Sequence, residues 1–284
     1  MTNWLLGIVL GVVQGVSEWL PISSKTQIII ASSYLYPALP LAEAYAFGLF
    51  LEIGTFFAAL FYFRREVWLV LKAIVGKGGE DGRLLLKYLL VVTVITALLG
   101  VVIFKTVLEV VSTVSPGSVF GLPMTVLGCI LIGDAVLIRL AKGRYTPRKG
   151  IRELSLRDLV IIGLVQGIAA LPGVSRSGAT VSTMLLLGVK PEESFRLSFL
   201  ALIPASVGAT AVTVLLSKHD ISLVVSAVTP PVILIAILVT IVVGVLFIRV
   251  LLRAAGSSKI ALLTAVLGIL AIFSGVASIL TGAG

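Results

Sequence analysis

Residues 14–24 read Gln-Gly-Val-Ser-Glu-Trp-Leu-Pro-Ile-Ser-Ser and interrupt an apolar region that extends from residue 4 to residue 34. Proline ends a helix because it lacks a backbone N–H and clashes with the preceding turn, whereas serine favours the start of the next helix. Each flank of the interruption is shorter than the roughly 20 residues that a helix needs to span a bilayer. The stretch therefore predicts two half-helices that meet inside the membrane.

A second interruption has the same character. Residues 172–180 read Pro-Gly-Val-Ser-Arg-Ser-Gly-Ala-Thr and divide the apolar region 158–189. A Val-Gln-Gly sequence precedes each break, and a serine follows nine residues after each glutamine, Ser23 after Gln14 and Ser175 after Gln166. Because the matched residues are polar and their surroundings are apolar, the similarity indicates an internal repeat.

Six further apolar runs are long enough to cross a membrane as helices. The chain is 58% hydrophobic and only 12% charged, against about 25% charged residues in an ordinary soluble domain. We therefore predict an all-α polytopic membrane protein, with six transmembrane helices and two re-entrant half-helix pairs in one membrane domain, residues 1–284. The six predicted spans are 41–63, 85–105, 119–140, 194–216, 231–251 and 260–281.

The basic residues predict the orientation. They cluster in 64–87 and 139–157, which the positive-inside rule assigns to the cytoplasmic side. The N-terminus is then outside, the first half-helix pair enters from outside, and the second enters from inside. An odd number of crossings inverts the second repeat, 158–284, relative to the first, 1–140, with 141–157 as a cytoplasmic basic linker. The net charge of +9 thus reflects basic residues that set the orientation of the chain in the membrane. They form no basic stripe of the kind that binds nucleic acid, so the sequence excludes nucleic acid as a partner.

Few charged residues lie within the apolar segments: Glu18, Lys25, Glu52, Asp134 and Arg176. A charge in lipid is costly unless it is paired or hydrated, so such residues are candidates for function. Asp134 lies near a predicted cytoplasmic helix end, and we interpret it as structural. Gln14 and Glu18 are four residues apart and share one helix face.

The two breaks together predict an anion site. Helix starts present free backbone N–H groups at a positive end, and arginine binds phosphate with two parallel hydrogen bonds. Glycine at a break allows the backbone to approach a ligand closely. The predicted ligands of a phosphate or diphosphate are Arg176, Lys25, the two matched glutamines Gln14 and Gln166, and the group Ser23, Ser24, Ser175, Ser177, Gly178 and Thr180.

Glu52 lies in the middle of the first predicted span, and three roles are open to it. With Glu18 it could hold a divalent cation, Mg²⁺ or Ca²⁺, since these ions prefer oxygen ligands and bridge phosphates. It could instead accept a proton during catalysis. It could also form a salt bridge with Arg176 or Lys25.

The two breaks resemble the signatures of the undecaprenyl-pyrophosphate phosphatase family of the bacitracin-resistance type. That family has a QGxxE-x-LPISS-type first motif and a PGxSRSGxT second motif, which match residues 14–24 and 172–180. The segments 51–55 and 195–204 are also similar to family segments, so the resemblance covers nearly the whole chain.

The resemblance implies hydrolysis of a polyprenyl diphosphate to the monophosphate, which recycles the lipid carrier for glycan synthesis. It implies a divalent cation and a site that faces outside. It also implies catalytic roles for Glu18, Ser24 and Arg176, with support from Ser23, Ser175, Ser177 and Thr180. Whether Ser24 attacks phosphorus or positions a water stays open.

One residue departs from the family pattern. Relatives usually have a histidine three residues after the second serine of the first motif, where this chain has Gln27. An amide cannot act as a general base. If the histidine activates the nucleophile in relatives, Glu18 or Glu52 must do so here.

Two other functions are compatible with the sequence. Inverted repeats with broken helices suit a transporter or lipid flippase. The absence of the histidine also allows a lipid-phosphate binder without activity. The oligomeric state stays open, and a homodimer is one arrangement that the sequence allows.

Overall fold

The computed structural model describes residues 3–35, 41–111, 116–140, 149–169, 173–216, 229–255 and 260–281. Within these residues the regular structure is helical, with one isolated β-bridge between Lys149 and Val189 and a short 3₁₀-helix, Ile151–Glu153. This confirms the all-α class. The α-helices are α1 (Asn3–Ser17), α2 (Ser24–Leu35), α3 (Leu41–Tyr62), α4 (Arg64–Ile74), α5 (Gly79–Val111), α6 (Pro116–Leu140), α7 (Leu156–Ile168), α8 (Arg176–Leu186), α9 (Pro191–Leu216), α10 (Pro230–Ala255) and α11 (Ile260–Thr281).

Both predicted breaks separate two short helices. α1 ends at Ser17 and α2 begins at Ser24, while α7 ends at Ile168 and α8 begins at Arg176. Residues 170–172 of the second break and 141–148 of the predicted linker lie outside the described residues. Ser23 has a φ of 46°, in the left-handed region that residues other than glycine rarely adopt.

The apolar helices identify a membrane protein. Each predicted span lies largely in one helix, namely α3, α5, α6, α9, α10 or α11. Among the described residues, three helical segments are long and apolar enough to cross a membrane: Gly79–Ile103, Pro230–Ala255 and Ala261–Thr281. Their outer faces expose large apolar side chains such as Leu98 and Phe273. An exposed apolar surface of this extent suits lipid and not water.

α4 is a helix that the sequence prediction missed, because we interpreted 64–87 as a basic loop. It exposes Trp68 and Leu71, and the Lys72 ammonium lies 5.5 Å from the centre of the Trp68 ring. Its opposite face buries Ala73 against the start of α5. α5 begins earlier than predicted because Glu80 and Asp81 in its first turn suit the positive end of a helix.

At each break, glycines spaced by four residues bring the first of the two short helices, α1 or α7, against a long helix. α1 packs along α10, and a Cβ added at Gly11 would lie only 2.6 Å from the carbonyl oxygen of Ala236. α7 packs along α5 in the same manner, since a Cβ added at Gly163 would lie only 2.9 Å from the Cβ of Ile95. The first helix of each half of the chain therefore lies against a helix of the other half.

We expect Gly11→Leu to destabilise the protein by about 3 kcal/mol, because overfilling a tight contact forces the helices apart. The matched control is Gly133→Ala on α6, where an added Cβ meets no atom within 4 Å. Alanine in an exposed helix position is expected to leave stability unchanged or to raise it by up to about 1 kcal/mol. Thermal unfolding in detergent measures both. Equal midpoints for Gly11→Leu and wild type would contradict the tight contact.

An aromatic cluster is buried beside the first break and packs against it. Trp19 is 1% exposed and packs edge-to-face on Phe199, with ring centres 5.1 Å apart. Phe195 packs on Phe199 in turn, and the Tyr88 hydroxyl donates to the carbonyl oxygen of Leu197 at 3.1 Å. These contacts hold Trp19, the residue next to Glu18, against α9. They therefore fix the backbone position from which the Glu18 carboxylate extends.

Candidate active site

The Glu18 carboxylate is the centre of the site and accepts hydrogen bonds from three side chains. The Gln14 amide donates to Oε2 at 2.9 Å, and the Ser24 hydroxyl donates to the same oxygen at 2.6 Å. The Arg176 guanidinium pairs with Oε1. Glu18 is buried, and a buried carboxylate is stable only when it is paired in this way. One residue thus joins α1, α2 and α8.

The serines of the second break hold the two breaks together. The Ser175 hydroxyl donates to the carbonyl oxygen of Leu20 at 3.1 Å, and the Ser177 hydroxyl lies 3.0 Å from the same oxygen. Gly178 lies at the crossing, since a Cβ there would be 2.5 Å from the Cβ of Pro21. A larger residue at 178 would separate the breaks and move Arg176 away from Glu18.

Both helix starts carry a cation where most helices favour an acid. Lys25 lies in the first turn of α2 and Arg176 begins α8, and neither first turn contains an acidic residue. A cation at the positive end of a helix is unfavourable unless an anion is near. The Ser175 hydroxyl also caps α8 by accepting from the backbone N–H of Gly178 at 3.2 Å. Each of these cations is paired with a carboxylate, Arg176 with Glu18 and Lys25 with Glu52, so the backbone N–H groups of the two helix starts supply the remaining positive character that favours an anion.

Glu52 pairs with Lys25 across the junction of α2 and α3. Of the three roles left open by the sequence, the salt bridge with Lys25 is therefore confirmed, whereas its roles as metal ligand or proton acceptor stay predictions. Glu52 is buried, while the Lys25 side chain is 29% exposed. The lysine thus reaches from the protein surface to a buried carboxylate.

We expect Glu52→Gln to lower stability by about 3 kcal/mol, because it leaves the Lys25 ammonium without its carboxylate in a largely apolar region. Adding Lys25→Met should restore most of the loss, since the ammonium that Glu52 neutralises is then gone as well. Thermal unfolding of the single and double variants measures this. A double variant that is less stable than Glu52→Gln would contradict the pairing as the role of Glu52 in stability.

Two polar contacts of the site escaped the sequence prediction. The Thr180 and Ser198 hydroxyls lie 2.5 Å apart, and the Gln27 amide nitrogen donates to the carbonyl oxygen of Ile22 at 3.0 Å and to the Ser274 hydroxyl. Ser274 lies on α11, far from either break in sequence, and its only signal was a polar residue in an apolar run. Ser198 on α9 lies 18 residues after Thr180 and inside the family-like segment 195–204, which was its signal.

The remaining predicted residues have distinct surroundings. The Thr26 hydroxyl donates to that of Ser23 at 3.1 Å. Within the described part of the chain, neither amide atom of the buried Gln166 has a hydrogen-bond partner, and the same holds for the Gln14 carbonyl oxygen. The structure records no contact between Gln166 and Glu18, so a substrate-binding role for Gln166 stays a prediction. Asp134 is buried away from the Glu18 contacts.

A small, partly open apolar cavity adjoins the crossing of the breaks. Its walls are mainly apolar and include Trp19, Leu131 and Val181. Ser177 and Gly178 also line it. Polar side chains of the breaks and apolar side chains of the neighbouring helices therefore adjoin at this crossing.

The fold and the site together define a polytopic membrane protein in which serine, arginine and glutamate side chains meet between two broken helices. The sequence profile of the family described as bacitracin resistance protein BacA matches residues 7–273. The chain therefore belongs to this family, and the resemblance carried by its two motifs is confirmed.

Similar proteins match the chain over nearly its full length. One from Saccharolobus solfataricus is 52% identical over 279 residues, which cover 98% of each chain, and is named undecaprenyl-diphosphatase. Proteins with the same name from Sulfurisphaera tokodaii and Pyrobaculum aerophilum are 44% and 41% identical, and these alignments cover at least 96% of this chain and 97% of theirs.

Proposed function

We propose that the chain hydrolyses a polyprenyl diphosphate of the undecaprenyl type to the monophosphate and inorganic phosphate. The observation that carries the proposal is the Ser24 hydroxyl, hydrogen-bonded at 2.6 Å to a carboxylate that Arg176 also contacts. A hydroxyl, an adjacent base and a phosphate-binding arginine are the parts that phosphoryl transfer needs. The shared name of the full-length relatives supports the same reaction.

Binding begins with Arg176 in this proposal. Without substrate the guanidinium pairs with Glu18, and a diphosphate competes for it because the planar fork matches phosphate geometry. The backbone N–H groups at the starts of α2 and α8 and the Lys25 ammonium add positive charge. As Arg176 turns to the phosphate, Glu18 keeps its hydrogen bonds with Gln14 and Ser24 and is left to accept the Ser24 proton.

The reaction then uses Ser24 and Glu18. The Ser24 oxygen attacks the terminal phosphorus while its proton passes to Glu18, and the bond from that phosphorus to the bridging oxygen breaks. Polyprenyl monophosphate leaves, and water hydrolyses the phosphoserine to inorganic phosphate. In the alternative that the sequence left open, Ser24 and Glu18 orient a water that attacks directly. Both routes consume one water and release one phosphate.

A divalent cation, Mg²⁺ or Ca²⁺, is compatible with the residues present. The described residues contain no group of three or more His, Cys, Asp or Glu side chains that could hold an ion. The Gln14 carbonyl oxygen is nevertheless buried without a partner beside Glu18. Glu18 and Gln14 would hold the ion together with phosphate oxygens, while Glu52 stays with Lys25. When bound, the ion neutralises charge on the phosphates.

The fold suits an inverted-topology repeat with two re-entrant pairs, α1–α2 and α7–α8, among six spanning helices. Supporting this, α1 packs on α10 as α7 packs on α5, through glycines in both cases. Such repeats place their sites between the halves, and Glu18 and Arg176 come one from each half. With the basic 64–87 and 139–157 segments cytoplasmic, the N-terminus and the site face outside.

Phosphate release from undecaprenyl diphosphate by the purified protein in vesicles tests the proposal. We expect release that depends on a divalent cation, and loss of release with a chelator. The prenyl tail should matter, since the apolar cavity adjoins the site, so inorganic diphosphate should be a poor substrate. Transfer of labelled lipid between leaflets without phosphate release would support the flippase and contradict the enzyme, and binding alone would support the inactive binder.

A further inference from the structure

The backbone is strained at the residue before the proposed nucleophile. Ser23 has a φ of 46° and precedes Ser24, the first residue of α2. A residue other than glycine holds this conformation only when its surroundings fix it, and such strain often occurs at functional sites. The contacts that hold Ser23 therefore decide where Ser24 points.

Gln27 supplies contacts on both sides of the strained residue. Its side-chain amide donates to the carbonyl oxygen of Ile22, which precedes Ser23, at 3.0 Å. Its backbone N–H donates to the carbonyl oxygen of Ser23 itself at 3.1 Å. Gln27 thus closes the break into a tight turn around Ser23, together with the Thr26 hydroxyl that donates to the Ser23 hydroxyl.

The same amide nitrogen ties this turn to a distant helix. It donates a second hydrogen bond to the hydroxyl of Ser274, a buried residue of α11 that lies 247 residues further along the chain. An amide NH₂ group has two donor hydrogens, which match these two acceptors. An imidazole nitrogen carries at most one hydrogen, so histidine could not make both bonds from one atom.

We infer that Gln27 and Ser274 form a positioning pair that fixes the start of α2 and keeps the Ser24 hydroxyl on Glu18. Neither side chain needs to contact the substrate for this role. The residue that stands in place of the family histidine thus acts through geometry and not through proton transfer. The kinetic part of this inference rests on the proposed hydrolase function.

A double-mutant cycle tests the pair. Gln27→Met removes the donor and Ser274→Ala removes the acceptor, and each should lower kcat roughly 10- to 100-fold, since small misplacement of a reacting group is costly. KM should change less than about twofold because the phosphate ligands stay. The double variant should be no worse than Gln27→Met, because residues that share one interaction are not additive. Ser274→Thr keeps a hydroxyl and should retain most activity.

Ser206→Ala is the matched control, since Ser206 on α9 is also buried and its hydroxyl has no partner among the described residues. It should leave kcat unchanged. Additive losses in the double variant, or wild-type kcat for Ser274→Ala with a large loss for Gln27→Met, would overturn the inference.

Hydrogen exchange gives a readout that does not depend on activity. The peptide covering residues 20–30 should exchange faster in Ser274→Ala and Gln27→Met than in wild type, and at the wild-type rate in Ser206→Ala. If wild-type protein releases no phosphate, the hydrolase proposal fails, and this comparison alone decides whether the pair fixes the turn. Unchanged exchange in both variants would overturn it.

Discussion

Glu18→Gln is expected to lower kcat at least about 10³-fold, the loss typical of removing a group that acts on the transition state. Glutamine has nearly the same shape and can still accept from Ser24, but it cannot take the proton of the hydroxyl. It also removes the carboxylate that Gln14, Ser24 and Arg176 share. Kinetic measurement of phosphate release from a polyprenyl diphosphate gives the value.

The control for Glu18→Gln is Asp134→Asn, which neutralises another buried carboxyl. Asp134 has no contact with Glu18 in the structure, so kcat should stay within about threefold of wild type. Thermal unfolding of both variants separates loss of activity from loss of fold. A Glu18→Gln variant with wild-type kcat would remove the carboxylate from the chemistry and leave it only a packing role.

Arg176→Ala is expected to lower kcat/KM by about 10³-fold or more, because it removes the phosphate fork and leaves Glu18 without its cation. Arg176→Lys should recover little, since an ammonium cannot form two parallel bonds to phosphate. Added guanidinium should restore part of the activity of the alanine variant and none of the activity of Glu18→Gln. Titration with substrate analogue gives the accompanying loss of affinity.

Arg152→Gln is the matched control for the arginine. Arg152 pairs with Asp81 at 2.7 Å on the surface, and an exposed ion pair contributes little to stability. Its loss should leave kcat/KM unchanged. Full activity of Arg176→Lys would contradict the bidentate role, whereas normal substrate affinity of Arg176→Ala would place phosphate binding elsewhere.

The breaks and the helices could be predicted because local residues determine them. Pro21 ends one helix, and the serines that follow it begin the next. For most of the predicted spans, both ends of the apolar run lie within a few residues of the ends of the helix. α4 was missed because its basic residues were used only to predict orientation, although Val67, Val70, Leu71 and Ile74 have the spacing of an amphipathic helix. Its buried Ala73 packs against the nearby start of α5.

The members of the site could be predicted, but most of their pairings could not. Intramembrane charges and serines at a break are visible in the sequence, so Glu18, Ser24 and Arg176 were found. The pairing of cations with carboxylates depends on how α2, α3 and α8 cross, which local sequence does not determine. The sequence therefore left three roles open for Glu52, and the structure places Lys25 beside it. Ser274 lies on a long helix far from either motif, and nothing in its local sequence indicates that it contacts Gln27.

Single-turnover phosphate release by wild type and Ser24→Ala, in vesicles that contain undecaprenyl diphosphate and a divalent cation, tests the central claim most directly. We expect one inorganic phosphate per lipid diphosphate in wild type, and at least about 10³-fold slower release in the folded Ser24→Ala variant. Release at the wild-type rate by Ser24→Ala, or no release by wild type that still binds the lipid, would contradict a hydrolase built on Ser24, Glu18 and Arg176.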